Sequence, residues 1–297
     1  MSLEKITNHL SSIGSKKERG FYNFLEKDHD FYEGTYTNTI NFNPDRLTLK
    51  SRLTFWLARA GYVSHIIKFF PKNSILLELG CGGGVRFLGK FYNMIGMDLS
   101  STSLEHLSSY YDVAVRENAL IRLPFPDQSL DGVVSSFFWE HIDEKGKQSI
   151  FKEIQRVLRP GGKILFLFDV ETNNPLIKKF KKKDPALYQK TFLDIDDHVG
   201  YATPEHNIEI ATNCGFKPVK CYYHEKTYFH EYSVNFKLLN WPDISPVTKI
   251  FLRSMKFVAG HKIFGRAYLI FLRILDTILY FLPSSWSRTM TMVLSKK

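Results

Sequence analysis

Ser74-Ile75-Leu76-Leu77-Glu78-Leu79-Gly80-Cys81-Gly82-Gly83-Gly84 is an apolar run, then an acid, then glycines at alternating positions. The run reads as a buried strand of a parallel sheet, and the glycines as a turn too tight for side chains. At such a turn, backbone N–H groups near a helix N-terminus can approach a ligand. A strand-to-helix turn that binds nothing would use the same residues, so the rest of the chain has to decide. A dinucleotide fingerprint opening at Gly80 would need its third glycine at Val85, which weakens a dehydrogenase reading. About twenty residues further on, Gly96-Met97-Asp98-Leu99-Ser100 sets an acid at the tip of a second strand, placed to accept hydrogen bonds from ribose hydroxyls.

Working outward, strand and helix patterns alternate after Pro71, the signature of a doubly wound parallel sheet. Strands are predicted at Ser74 to Leu79, Asn93 to Asp98, Val113 to Val115, Leu130 to Ser135, Lys163 to Phe168 and Pro218 to Tyr223. Helical spacing predicts helices at Ser149 to Leu158, stopped by Arg159-Pro160-Gly161-Gly162, and at Pro204 to Asn213. On the N-terminal side, Leu47 to Phe70 reads as a helical lead-in stopped by Pro71. Phe21 to Asp45 reads as an aromatic arm over the main domain, with Tyr32 and Tyr36 as candidates to close over a cationic ligand. On the C-terminal side, Arg288 to Ser295 alternates and is β-prone.

Three further stretches carry more specific information. They are Asn118-Ala119; Leu123-Pro124-Phe125-Pro126-Asp127 running on through Ser135-Ser136-Phe137-Phe138-Trp139-Glu140-His141; and Arg156-Val157-Leu158-Arg159-Pro160-Gly161-Gly162-Lys163. Together and in this order they resemble the class I S-adenosylmethionine-dependent methyltransferases, in the type 11 branch that acts mostly on small molecules and lipids. The resemblance covers Ser74 to Tyr223. It implies a Rossmann-like, doubly wound seven-stranded sheet, mostly parallel with an antiparallel last strand. It also implies a cofactor site: Glu78 supporting the methionine end, the Gly80, Cys81, Gly82 and Gly84 loop beneath it, Asp98 and Leu99 at the ribose, Asn118 and Ala119 at the adenine, and Ser136 lining the site. An Asn stands at position 118 where the family commonly has an Asp, and its amide oxygen can still accept from the adenine amino group.

Methyl transfer asks little of a protein beyond in-line placement and exclusion of water, because the donor is already activated. A base is needed only for a weakly acidic hydroxyl or carbon. His198, in Asp197-His198-Val199-Gly200-Tyr201, and His141 are the candidates, with packed or capping histidines as the plainer reading. Asp169 is a weaker candidate, and Cys81 is assigned to packing. No metal is assigned: Cys81, Cys214 and Cys221 are widely separated, with no Cys/His cluster at zinc spacing.

Forty Lys plus Arg against thirty Asp plus Glu give a net charge of +10, and the 44% hydrophobic content excludes collagenous, coiled-coil and wholly disordered chains. Much of the charge lies in Lys178 to Lys183 and in the tail from Glu231, where ten basic residues face three acids. Residues 262–282 are long enough to span a membrane, but Arg266, Arg273 and Asp276 make insertion unfavourable. These charges fall on one face of an otherwise apolar helix, suited to a core, a homodimer or a lipid interface.

The expected organisation is an N-terminal arm with lead-in helices at 1–73, the cofactor-binding core at 74–230, a basic hydrophobic helical insertion at 231–287, and the final strand at 288–297. The expected activity is methyl transfer to an oxygen, or less readily a carbon, of a small lipid-like or glycan-type acceptor. An anionic membrane surface meeting Lys178–Lys183 and the 262–282 helix is the expected docking partner. No signal-peptide core lies in residues 1–20 and the cysteines suit a reducing compartment, so a cytoplasmic location is expected, peripheral on the inner face of the membrane. Two competing readings are a nucleic-acid methyltransferase, whose usual Pro-Pro-aromatic motif is replaced by Ser135-Ser136-Phe137-Phe138, and a non-catalytic, membrane-associated cofactor-binding protein.

Overall fold

The computed structural model describes residues 2–25, 41–261 and 263–297, apart from the side chains of Lys16 and Glu18. Tyr32, Tyr36 and Lys262 therefore lie outside the described residues. The chain opens with helix α1 (Leu3–Ser12), a hairpin of β1 (Lys16–Glu18) and β2 (Phe21–Asn23), and helices α2 (Leu49–Leu57) and α3 (Tyr62–Phe69). The alternating core follows: β3 (Ile75–Leu79), β4 (Asn93–Asp98), α4 (Ser101–Leu107), β5 (Val113–Arg116), β6 (Leu130–Ser136), α5 (Glu144–Val157) and β7 (Leu158–Asp169). Next come α6 (Pro175–Lys183), α7 (Pro185–Tyr188), α8 (Pro204–Asn213) and β8 (Phe216–His224). Helices α9 (Tyr232–Leu239), α10 (Pro246–Gly260) and α11 (Phe264–Ile278) precede β9 (Thr289–Lys296).

The sheet order is β1-β2-β5-β4-β3-β6-β7-β9-β8. Strands β3 to β7 are parallel, and β9 runs antiparallel between β7 and β8. This is the doubly wound sheet expected from the sequence, enlarged from seven strands to nine. The extra pair is the N-terminal hairpin, whose β2 lies parallel to β5. Its turn is made by Gly20 at φ +92, and Phe21 is buried against the sheet, which closes an edge that the short β5 would leave open.

Alternation along the strands divides the core in two. Leu77 and Leu79 of β3, with Ile164, Phe166 and Phe168 of β7, face the α5 side; Leu76, Leu165 and Leu167 face α3 and α4. A third cluster joins Ile177 and Phe180 of α6 to Val234, Leu238, Trp241 and Leu252 of α9 and α10. Helix α6 contains the lysine run. Its Lys181 pairs with Glu171, and Lys183 donates to the carbonyls of Pro242 and Asp243, so part of that charge serves internal packing.

Two elements depart from the sequence reading. The lead-in from Leu47 to Phe70 is broken at Ala58–Gly61, where Arg59 (φ +43), Ala60 (φ +48) and Gly61 (φ +78) are left-handed. Helical periodicity continues across the break because both halves bury apolar residues on the same side of the sheet. The expected helix at 262–282 is the shorter α11, and two of its three charges turn inward beside Tyr268 and Leu272 while Arg266 stays exposed. Arg273 is only 3% exposed, bonded to Asp276 (3.0 Å), Glu231 (3.2 Å) and His224 (3.1 Å). Phe264, Phe271, Ile274 and Ile278 face outward. Among the described residues no helix is long and apolar enough to cross a membrane.

Candidate active site

Gly80, Asp98 and Ser136 stand at the C-terminal ends of β3, β4 and β6, on both sides of the point where the chain stops adding strands to one edge of β3 and starts on the other. Such switch points open a crevice in doubly wound sheets. A cavity of about 450 Å³ lies here, its lining running from the glycine loop through Asp98 and Asn118 to His141. That volume suits a nucleoside-sized ligand.

The glycines are required by geometry. Gly80 sits at φ +58, and a Cβ there would come within 2.5 Å of the Phe138 ring. Behind the loop, Asp98 accepts from the Gly82 N–H at 2.7 Å with one oxygen and from the Ser100 N–H at 2.9 Å with the other. Asp98 itself lines the cavity, as the acid at the tip of β4. Gly84 (φ +61) faces Leu107 rather than the cavity, so it shapes the turn without lining it.

Glu78 is also outside the lining. It is buried, and its oxygens accept from Tyr62 Oη (2.9 Å) and Tyr111 Oη (2.5 Å). Burial pushes its carboxyl up, opposed by those two hydroxyls and by the Arg59 charge. Cys81 lines the cavity, yet burial, with Asp98 and Glu78 adding to it, holds its thiol well above the usual range. That is the state of a packing residue rather than a nucleophile.

Leu99, Asn118, Ala119 and Ser136 line the cavity with Gly80, Cys81, Gly82 and Asp98. Asn118 Oδ1 accepts from the Leu120 N–H at 2.9 Å, which holds the loop in an Asx turn. Of the lining residues that the sequence reading did not assign to the site, three stand out. Glu117 adjoins Asn118 and pairs with Arg122. Phe137 holds a left-handed backbone (φ +55), unusual for an aromatic and a mark of functional strain. Arg59, carried in by the helix break, donates to Ser136 Oγ at 2.9 Å. The adjacent Ser136-Phe137 at a strand end was a usable signal for Phe137; nothing local pointed to Arg59.

His141 opens onto the cavity, and its Nδ1 lies 3.0 Å from the Asp197 carbonyl. His198 packs edge-on to it with ring centres 5.2 Å apart and stacks on Tyr201. Burial lowers the His198 imidazole below its usual value, partly opposed by Asp169. The tertiary fold thus brings the two candidate histidines together. Asp169 is engaged elsewhere, accepting from Arg288 at 2.8 Å and Thr289 at 2.9 Å. Glu140, adjacent to His141, is buried beside both, and burial and Asp169 push its carboxyl well up.

Residues 77–166 match the family model described as a methyltransferase domain, in its type 11 form. The demethylmenaquinone methyltransferase of Lactobacillus johnsonii is 29% identical over 153 residues, covering 44% of this chain and 62% of that one. The fatty-acid O-methyltransferase of Mycolicibacterium smegmatis is 32% identical over 102 residues, covering 31% and 35%. The matched region thus spans less than two thirds of either relative. The geranyl diphosphate C-methyltransferase of Streptomyces coelicolor A3(2), solved with Mg2+, geranyl diphosphate and S-adenosylhomocysteine, shares the fold at a TM-score of 0.50 and 10% identity, covering 87% of this chain and 89% of that one. Over residues 77–166, family match, sheet order and glycine loop agree on a class I S-adenosylmethionine-dependent methyltransferase domain of the type 11 branch.

Proposed function

We propose that this chain transfers the methyl group of S-adenosylmethionine to an oxygen, or less readily a carbon, of a small lipid-like or glycan-type acceptor. The observation that carries the reading is the cavity at the switch point, with the glycine loop and Asp98 at one end and His141 at the other. When bound, S-adenosylmethionine supplies an already activated methyl group. Asp98 accepts from the ribose, Asn118 and Ala119 meet the adenine, and Arg59 with Ser136 takes the methionine carboxylate. Glu78 acts through the two tyrosines it holds, as the floor of the loop. Phe137 and Phe138 exclude water from the methyl group's path, and His141 and His198 assist loss of the acceptor's proton.

The acceptor class is supported from outside the cavity. Phe257, Phe264, Phe271, Ile274 and Ile278 of the α10–α11 hairpin are 38–66% exposed, a broad apolar surface. Beside it, Lys249, Arg253 and Lys256 line a cleft of about 570 Å³ together with Tyr232 and Phe257. Apolar side chains bordered by cations suit an anionic membrane surface, from which a lipid-like acceptor would be drawn. In this reading Lys249, Arg253 and Lys256 of α10 join Lys178, Lys179 and Lys182 of the α6 run in supplying the docking charge. The fatty acid in one relative's name is an acceptor of the same class.

Calorimetry with S-adenosylhomocysteine, followed by a labelled-methyl assay on lipid extracts, tests the reading. Saturable binding and label in the lipid fraction are expected. Absence of both heat and thermal stabilisation would overturn the donor assignment. Co-sedimentation with vesicles containing phosphatidylglycerol, compared with phosphatidylcholine alone, tests the membrane surface. A homodimer formed over the same apolar faces would instead appear in sedimentation velocity.

A further inference from the structure

We infer that Glu140, His141 and His198 form a divalent-metal site at the acceptor end of the cavity. One carboxylate oxygen of Glu140 and one ring nitrogen of each histidine all lie within 4.8 Å of one another. Two imidazoles and one carboxylate form a donor set suited to Zn2+, Fe2+, Co2+ or Mn2+ rather than to Ca2+.

The site is built from buried groups that the protein itself leaves unsatisfied. Glu140 is 1% exposed, and its Oε2 has no hydrogen-bond partner among the described residues. His198 is 9% exposed, and its Nδ1 likewise has none. Buried polar atoms in that state are rare and costly, and a bound cation would satisfy both. The neighbouring cation, Lys147, does not fill the role: its Nζ donates to the Gly200 carbonyl at 2.7 Å and to Asn207 Oδ1 at 2.9 Å.

The histidine ligands are oriented in advance. A carbonyl can only accept, so the 3.0 Å contact to Asp197 sets a proton of His141 on Nδ1 and makes Nε2 the ligating nitrogen. The segment carrying His198 is pressed against the turn carrying Glu140. The Gly200 N–H donates to the Glu140 carbonyl at 2.8 Å, and a Cβ on Gly200 would come within 1.8 Å of the Ile142 carbonyl. Only glycine lets these two segments meet so closely.

The metal's role rests on the methyl-transfer reading, whereas its binding does not. With three protein ligands, a position facing the cavity through His141 stays open for an acceptor oxygen. With the ion bound, the two histidines assist proton loss as its ligands rather than as bases, and a hydroxyl on the ion loses its proton to solvent more readily. Its oxygen then bonds to the methyl carbon as the carbon–sulfur bond of the donor breaks, leaving a neutral thioether.

Full-length protein dialysed against a chelator, then titrated with Co2+ and with Zn2+ by calorimetry and visible absorption, tests the site. One ion per chain is expected, with His198→Gln and Glu140→Gln each weakening it at least tenfold, on the order of what ligand loss costs. S-adenosylhomocysteine binding and the melting curve report in parallel that each variant is folded. Ion binding without S-adenosylhomocysteine binding would uphold the site while removing the methyl-transfer reading. Protein that binds S-adenosylhomocysteine but shows no saturable ion binding would overturn the site, as would folded variants that bind the ion like wild type; a buried water would then account for the unsatisfied atoms.

Discussion

Arg59 Nη1 lies 2.9 Å from Ser136 Oγ, so a residue from the break in the N-terminal helices meets one from the end of β6 at the cavity wall. In a substrate complex that guanidinium is available to a carboxylate, in the charge-assisted geometry that makes such contacts strong. Arg59→Met should weaken S-adenosylhomocysteine binding about tenfold or more, equivalent to roughly 1.5–3 kcal/mol for a hydrogen bond to a charged group. Calorimetry checks it, and an unchanged affinity would take Arg59 out of the site.

Gly80 faces Phe138 at a backbone angle that disfavours any side chain. Gly80→Ala adds a left-handed penalty to displacement of a half-buried ring, together about 2–4 kcal/mol. Urea unfolding should show that loss, and the folded fraction should bind cofactor poorly because Phe138 also lines the cavity.

Arg273 is enclosed by Asp276, Glu231 and His224. Arg273→Met would leave two carboxylates without their cation, at a cost of about 3–5 kcal/mol for breaking a buried pair. Chemical denaturation should show the loss, and limited proteolysis should cut first between β8 and β9. A variant as stable as wild type would mean that the inward packing of Arg273 is wrong.

Lys147 is 1% exposed, and burial lowers its ammonium from 10.5 to about 8. Between those values the unfolded chain binds more protons than the folded one, so this lysine adds stability as pH rises from about 8 toward 10.5. Below pH 8 its contribution is a constant penalty. The stability difference between wild type and Lys147→Met should therefore shift toward wild type by about 1–2 kcal/mol between pH 7.5 and 9.5. Thermal or urea unfolding at both pH values measures it.

The cofactor half of the site was legible because it is local. A buried strand, a glycine turn and an acid at the next strand tip fall within one β-α-β unit, and residue type there dictates backbone shape: Gly80 and Gly82 occupy left-handed angles that side chains resist. Each core strand predicted from Ser74 to the C-terminus appears in the sheet within two residues of its expected ends, except β7, which begins at Leu158 and takes in the Arg159–Gly162 stretch expected as a turn. The N-terminal hairpin was not legible because its three-residue strands are too short for an alternating pattern to show.

The sequence by itself determined the doubly wound sheet and the glycine loop, since periodicity and turn chemistry act between near neighbours. Only the tertiary structure decided that Arg59 enters the cavity and that His198 lies beside Glu140 and His141. It also decided that α11 turns Arg273 and Asp276 inward. Periodicity identifies two unlike faces on a helix, but which face is buried depends on what lies opposite. For α11 that is His224 of β8 with Glu231, and in that polar surrounding the buried partner of the sheet is an arginine.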